Sequence, residues 1–190
     1  SDATVNTAGQ TNINGTAHDV PAQKDCHTCH DGEPGLILGY SAIQLSKGGP
    51  EPTLKGIAAA GQLSAPPPAG TDYPVPGNAV ESAALGYLHA NCGHCHNPNG
   101  AAYSKVNQVL RLPVSATTPA ATPTYSSTIN VNTQAFFGSQ ASKRVVPKST
   151  SQSDLYLRMN LRTNAGMPAL GSEQVDSTGL AAIAAWINAL

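Results

Sequence analysis

The chain has 190 residues, with 18 Gly, 15 Pro, only 11% charged residues and a net charge of −1. That balance lacks the basic excess of a nucleic-acid binder, and no apolar run is long enough for a transmembrane segment. Leu, Ile, Val and Phe number 35, few for a domain held by its own core, yet the near-zero charge argues against disorder.

Ser1-Asp2-Ala3-Thr4 carries neither the basic nor the apolar stretch of a leader, so Ser1 reads as a processed end. The surface composition, rich in Ser, Thr, Asn and Ala, fits an exported protein, periplasmic or extracellular. Residues 1–24 read as a polar arm with a turn at Asn14-Gly15 and room for short strands. His18 lies in this arm. Short helices are expected at 41–45 and 53–60, followed by a Pro-rich connection from Ser64 to Pro76. Asn78 is the expected N-cap of a helix running to about Cys92, with Val80, Ala84, Tyr87 and Leu88 at helical spacing. Residues 113–150 are rich in Pro, Thr and Ser, with room for a strand at 128–132. Ser115–Ser127 has the composition of an O-glycosylated stalk, although a plain surface loop is the preferred reading. Ser153 is expected to start a helix to about Arg162. Met167-Pro168 then falls in a loop, and Ser177 is expected to cap a last helix with Leu180, Ile183, Ile187 and Leu190 on one face. Charge is split along the chain: residues 1–100 sum to −5 and residues 101–190 to +4.

The four cysteines carry the chemical signal. They occur as Cys26-His27-Thr28-Cys29-His30 and Cys92-Gly93-His94-Cys95-His96. Each reads C-x-x-C-H, the spacing of c-type haem attachment. Two thiols on one helical turn each add to a haem vinyl group, and the following histidine, His30 or His96, becomes the proximal iron ligand. Two disulfides, one Cys₄ zinc site and a thioredoxin-like pair are the competing readings. A Cys₄ zinc would leave both histidines idle, and no βαβ pattern surrounds either pair. Two haem c groups would also supply the apolar bulk that the side chains lack, so the haem-free chain is expected to fold poorly.

From about residue 79 onward the chain resembles a class I cytochrome c domain. The resemblance rests on a helix leading into Asn91–His96, the loop Gly166-Met167-Pro168-Ala169-Leu170-Gly171, and the final helix with Trp186-Ile187. It implies that His96 and Met167 ligate the second haem and that Ala84 and Leu88 pack against the last helix. The whole chain, apart from residues 1–15 and 113–150, resembles a bacterial family of exported dihaem c-type cytochromes. The phrases that carry this are Val20-Pro21, Leu38-Gly39 with Gln44-Leu45, and Tyr87–Cys92 through Asn97-Pro98. The expected fold is mainly α with long irregular loops. It comprises an arm and smaller N-terminal haem-binding domain over 1–76, and a class I cytochrome c-like domain over 77–190 with a loop insertion at about 113–150. The distal ligand of the first haem stays open among His18, His89 and Met159. His27 and His94 are expected to be solvent-facing or hydrogen-bonded.

Three functions follow as expectations. The first is electron transfer between redox partner proteins, with two haems and no catalytic triad, carboxylate pair or phosphate loop in sight. The second is a subunit of an extracellular cytochrome filament, built by head-to-tail contacts between the oppositely charged halves. The third is a small haem peroxidase or oxidoreductase subunit, which would need an open iron position.

Overall fold

The computed structural model describes residues 4–46, 48, 52–134 and 141–190. Ser1, and residues 135–140 of the expected insertion, lie outside the described residues. The chain is mainly helical, and its strand content among the described residues is a handful of isolated bridges. In chain order the helices are α1 (Gln23–His30), α2 (Ala42–Leu45), α3 (Leu54–Ala59), α4 (Ala79–Asn91), α5 (Tyr103–Val106), α6 (Pro123–Thr128), α7 (Asp154–Met159) and α8 (Ser177–Ala189). No helix among the described residues is long and apolar enough to cross a membrane.

The core forms where α4 meets α8. Asn78 caps α4 by accepting from the Val80 and Glu81 amides at 2.9 and 3.0 Å, satisfying donors that have no partner inside the helix. Ala84 and Leu88 of α4 and Ile183, Trp186 and Ile187 of α8 are completely buried together. Close approach of the two helices depends on Gly179, because a Cβ there would sit inside the Tyr87 ring. Asp176, rather than the expected Ser177, caps α8 through the Thr178 and Gly179 amides, both at 3.0 Å. Val80 is 38% exposed and stands apart from this core.

The described parts of 113–150, residues 113–134 and 141–150, hold more regular structure than their composition suggests. Thr122 caps α6 and Pro123 opens it, so helix occupies part of the stretch read as a strand. What survives of the strand is two single bridges, Ile129 with Val145 and Asn132 with Lys143. Tyr125 fastens α6 to the core: its hydroxyl donates to Glu81 Oε1 at 3.0 Å and accepts from Trp186 Nε1 at 3.2 Å. Helix α7 starts after Ser153 as expected and stops at Met159, one turn early.

The arm turns at Asn14 and Gly15, both with positive φ, and closes on itself through a Gln10–Val20 bridge. The Pro-rich connection contains no helix. It is tied down by Tyr73 and Val75, which join Ile43, Leu85 and Leu112 in a second apolar cluster. Residues on both sides of position 76 therefore share one patch of core.

Candidate functional site

The first motif lies entirely on α1. This helix buries none of its side chains, and Asp25 reaches back to the Ala22 amide at 3.2 Å to hold its start. The next chain turn brings His30 Nδ1 to 2.6 Å from the Leu36 carbonyl. A carbonyl only accepts, so Nδ1 carries the proton and Nε2 is left as a basic nitrogen, the arrangement a metal-ligating histidine uses. His27 Nδ1 pairs with Asp31 at 2.9 Å.

The second motif closes α4, with Cys92 at the helix end. Asn97, which is buried, braces the loop: its side-chain amide donates to the Gly93 and His94 carbonyls at 2.8 and 3.0 Å. Gly100 allows the chain to fold back over Cys95, whose carbonyl oxygen would collide with any Cβ at that position. The backbone amide of Leu110 donates to the His96 carbonyl at 2.8 Å.

The two motifs meet. The donor atoms of Cys29, His94 and Cys95 all lie within 4.8 Å of one another. Cys95 Sγ lies 3.2 Å from the Thr28 carbonyl. Gly32, buried just past the first motif, abuts the His94 carbonyl so closely that no Cβ fits. Glu33 and Arg111 form an ion pair alongside, with Glu33 mostly buried.

Next to this junction are two adjoining cavities of about 600 and 390 Å³. Cys92, His96, Met159 and Met167 line both. His96 is pushed down to about 4, by burial first and then by Arg158 and Arg144, so its ring is neutral at ordinary pH. Its Nδ1 is buried without a hydrogen-bond partner. Burial pushes the Cys92 and Cys95 thiols up to about 12, with Cys29 adding to the effect at Cys95. The Met167 loop is held by its amide, which donates to the Arg158 carbonyl at 3.0 Å, and by Arg158 Nε, which donates to the Ala165 carbonyl at 2.9 Å.

A neutral imidazole, two thioethers and a pair of un-ionised thiols around one largely apolar cavity are a donor set that suits a covalently attached haem. The first motif offers a different surface. Leu36, Ile37 and Tyr40 are 53, 65 and 66% exposed, and Ile37 and Tyr40 line a hollow beside Glu33 and Arg111.

The remaining candidates are placed elsewhere. Met159 is buried in the same cavities as His96 rather than beside His30. His18 is exposed, 3.4 Å from Glu173 on the loop after Met167. His89 does not reach outward from α4, as its offset from the packing face suggested. It is 5% exposed and both ring nitrogens are engaged. The Leu112 amide donates to Nδ1 at 3.1 Å, so Nε2 carries the proton toward Ser41 Oγ at 2.8 Å, and Ser41 Oγ donates to Gln44 Oε1 at 2.9 Å. Burial holds this ring at about 4.

Asn97, Gly32 and the Glu33–Arg111 pair escaped the sequence reading. Asn97 and Gly32 each sit one or two residues past a motif, which is the only signal that points to them. Searches against protein-family profiles, curated proteins and solved structures each returned no match.

Proposed function

We propose that this chain is an electron-transfer protein carrying two covalently attached c-type haems, one at each C-x-x-C-H motif. One observation carries the reading. Two motifs 66 positions apart are folded against each other, beside cavities lined by His96, Met159 and Met167. When bound, haem supplies a reversible one-electron couple. Cys26 and Cys29 would hold one such group with His30, and Cys92 and Cys95 the other with His96. Met167 is the favoured second ligand at His96, because its loop is tied to Arg158 through the Met167 amide and the Ala165 carbonyl. A thioether there raises the potential relative to a second histidine. At His96 two protein ligands would leave no position for a substrate, which favours a carrier role for that haem over a haem peroxidase or oxidoreductase subunit. On this reading α4, α8 and the Met167 loop form a class I cytochrome c-like unit, with a smaller haem-binding unit before it. An exported setting, periplasmic or extracellular, and redox proteins as partners follow from the same chemistry.

Mass spectrometry of the intact protein, made in a host that matures c-type cytochromes, tests this. Two haem adducts are expected. Cys26→Ala with Cys29→Ala should remove one, and Cys92→Ala with Cys95→Ala the other. A protein that carries no haem, or stoichiometric zinc, overturns it.

The bare apolar surface beside the first motif favours a second reading, assembly of copies into an extracellular cytochrome filament. Light scattering across concentration and salt distinguishes the two, since head-to-tail contact between oppositely charged halves weakens with salt.

A further inference from the structure

Of the three residues that meet between the motifs, His94 is the one that haem attachment leaves unexplained. It is neither a motif thiol nor the histidine that follows one, and it is half-buried. Its donor atom lies within 4.8 Å of Cys29 Sγ and Cys95 Sγ, and no other three His, Cys, Asp or Glu side chains among the described residues converge in this way. A hydrogen bond to the Ala90 carbonyl, one turn back, puts the proton on one ring nitrogen and leaves the other with its lone pair. Cys29 and Cys95 are themselves in hydrogen-bonding contact. The backbone beneath is braced: Asn97 holds the His94 carbonyl, and Gly32 of the first motif's loop packs against it. Two sulfurs and an imidazole nitrogen are a donor set that zinc takes in tetrahedral sites. Bonds of about 2.3 Å to sulfur and about 2.0–2.1 Å to nitrogen put tetrahedral donors about 3.5–3.8 Å apart, so closing on an ion takes side-chain shifts of about 1 Å. The half-buried setting leaves a fourth position to water and gives the ion a way in. Burial disfavours two bare thiolates there, and an ion between them offsets that cost, since a coordinated thiol gives up its proton outright. Cys26 and Cys92 stand outside the group, which therefore belongs to neither motif alone.

We propose that Cys29, His94 and Cys95 hold one zinc ion in the chain before haem is attached, fastening the two motifs together, and that attachment displaces it. On binding, the two thiols lose their protons to solvent as two Zn–S bonds form. On attachment, each sulfur takes back a proton from solvent and its S–H adds across a haem vinyl group, leaving an uncharged thioether in place of the thiolate. The site stands on the convergence of the three donors; its displacement rests on the haem reading above. A bond across segments 66 positions apart restrains a chain that, without haem, is short of apolar core.

The full chain, made haem-free in a host without c-type maturation and kept reduced with a phosphine, is titrated with zinc and, as a coloured probe, with cobalt(II). One ion per chain is expected, with the charge-transfer absorption of thiolate-bound cobalt. Cys29→Ser, Cys95→Ser and His94→Ala should each weaken binding at least tenfold, the cost of losing even a partner behind a ligand, and Cys26→Ser should not change it. Alkylation followed by peptide mass spectrometry reads the same site in the unsubstituted chain. Zinc should protect Cys29 and Cys95 and leave Cys26 reactive. Absence of stoichiometric binding overturns the proposal. So does joint protection of Cys26 and Cys29, which places the ion within one motif. The protein matured with haem should carry two haems and no zinc, and two haems with zinc retained overturn the displacement. Failure of haem attachment overturns the haem reading instead, and the titration of the haem-free chain then judges the zinc site by itself.

Discussion

The two motifs are the same five-residue pattern set in opposite surroundings. Around the second, α4 and α8 bury Leu88, Ile183, Trp186 and Ile187 completely, and a bridged segment folds over the cavity. Around the first, α1 buries nothing, and Leu36, Ile37 and Tyr40 stand in solvent. An identical five-residue pattern therefore says little about environment. The environment comes from what the flanking helices can bury, and only the second motif has an apolar helix on its N-terminal side. A site walled by protein favours a high, stable potential, whereas one at the surface favours contact with a partner. On the proposed function, that division would suit a relay with an inner and an outer centre.

The contrast breaks most visibly at Trp186. Trp186→Ala should cost about 3–5 kcal/mol, read as a loss of denaturant midpoint, because a fully buried indole leaves a cavity between α4 and α8. It also removes the indole N–H that donates to the Tyr125 hydroxyl at 3.2 Å, leaving that hydroxyl its bond to Glu81. No single truncation in residues 23–40 should approach that figure. An equal loss from Tyr40→Ala would mean that the first region is as deeply packed as the second.

His89 joins the regions, and pH should reveal it. Its folded value is about 4 against an ordinary value near 6.5. Between these limits the unfolded chain binds more protons than the folded one, so stability rises with pH. The contribution is complete above about pH 6.5 and lost as pH falls toward 4, on the order of 2–3 kcal/mol. His89→Gln should remove its share of that slope in denaturant titrations at stepped pH, leaving the share of His96, which burial also holds at about 4. If the slope is undiminished by the substitution, the Ser41–His89–Leu112 link is not what titrates.

What was legible in the sequence follows the same division. Helices α4 and α8 announced themselves by apolar spacing and, for α4, by its Asn78 cap. Both signals are local, and both concern faces that end up buried. The misplaced strand at 128–132 has the opposite origin. Thr128, Ile129 and Val131 favour extended backbone locally, but Thr122 and Pro123 had already set a helix in motion. His89 could not be read correctly, since its partners Ser41 and Leu112 lie 48 and 23 positions away. Arg144 was equally opaque: the carbonyl of Val106 that it holds is 38 positions distant. The two five-residue motifs could be seen in the sequence because their residues are contiguous. Their mutual packing could not, because it depends on Gly32 and the Glu33–Arg111 pair.

Gly32 offers a sharper cut at that junction. Gly32→Ala places a Cβ against the His94 carbonyl and the Gly100 Cα, backbone atoms that cannot swing aside. Overpacking of this kind costs about 1–3 kcal/mol. The cost should come with altered coupling between the two centres, visible as a changed separation of the two midpoints. Gly35→Ala is a poor control because of its positive φ, whereas Gly48, which meets none of the described residues, should tolerate alanine. If Gly32→Ala leaves stability and midpoints unchanged, the motifs are not held in contact.

The smallest effect bears most directly on the bare surface. A solvent-exposed aliphatic residue normally contributes within about 0.5 kcal/mol, and Val114, 51% exposed, should behave so. Ile37 is more exposed still, at 65%, and on the polypeptide alone Ile37→Ser should cost no more than Val114→Ser. If the group attached at Cys26 and Cys29 lies over this patch, part of the isoleucine is buried in the mature protein. At about 25 cal/mol per Å², covering even half of such a side chain is worth roughly 1 kcal/mol. Denaturant unfolding of the mature Ile37→Ser and Val114→Ser proteins, followed at the haem absorbance, measures the difference. A gap of about 1 kcal/mol would place the missing apolar bulk where the first motif is thinnest. No gap would mean that the patch faces solvent even in the mature protein, which leaves it free as a surface for a redox partner or a second copy of the chain.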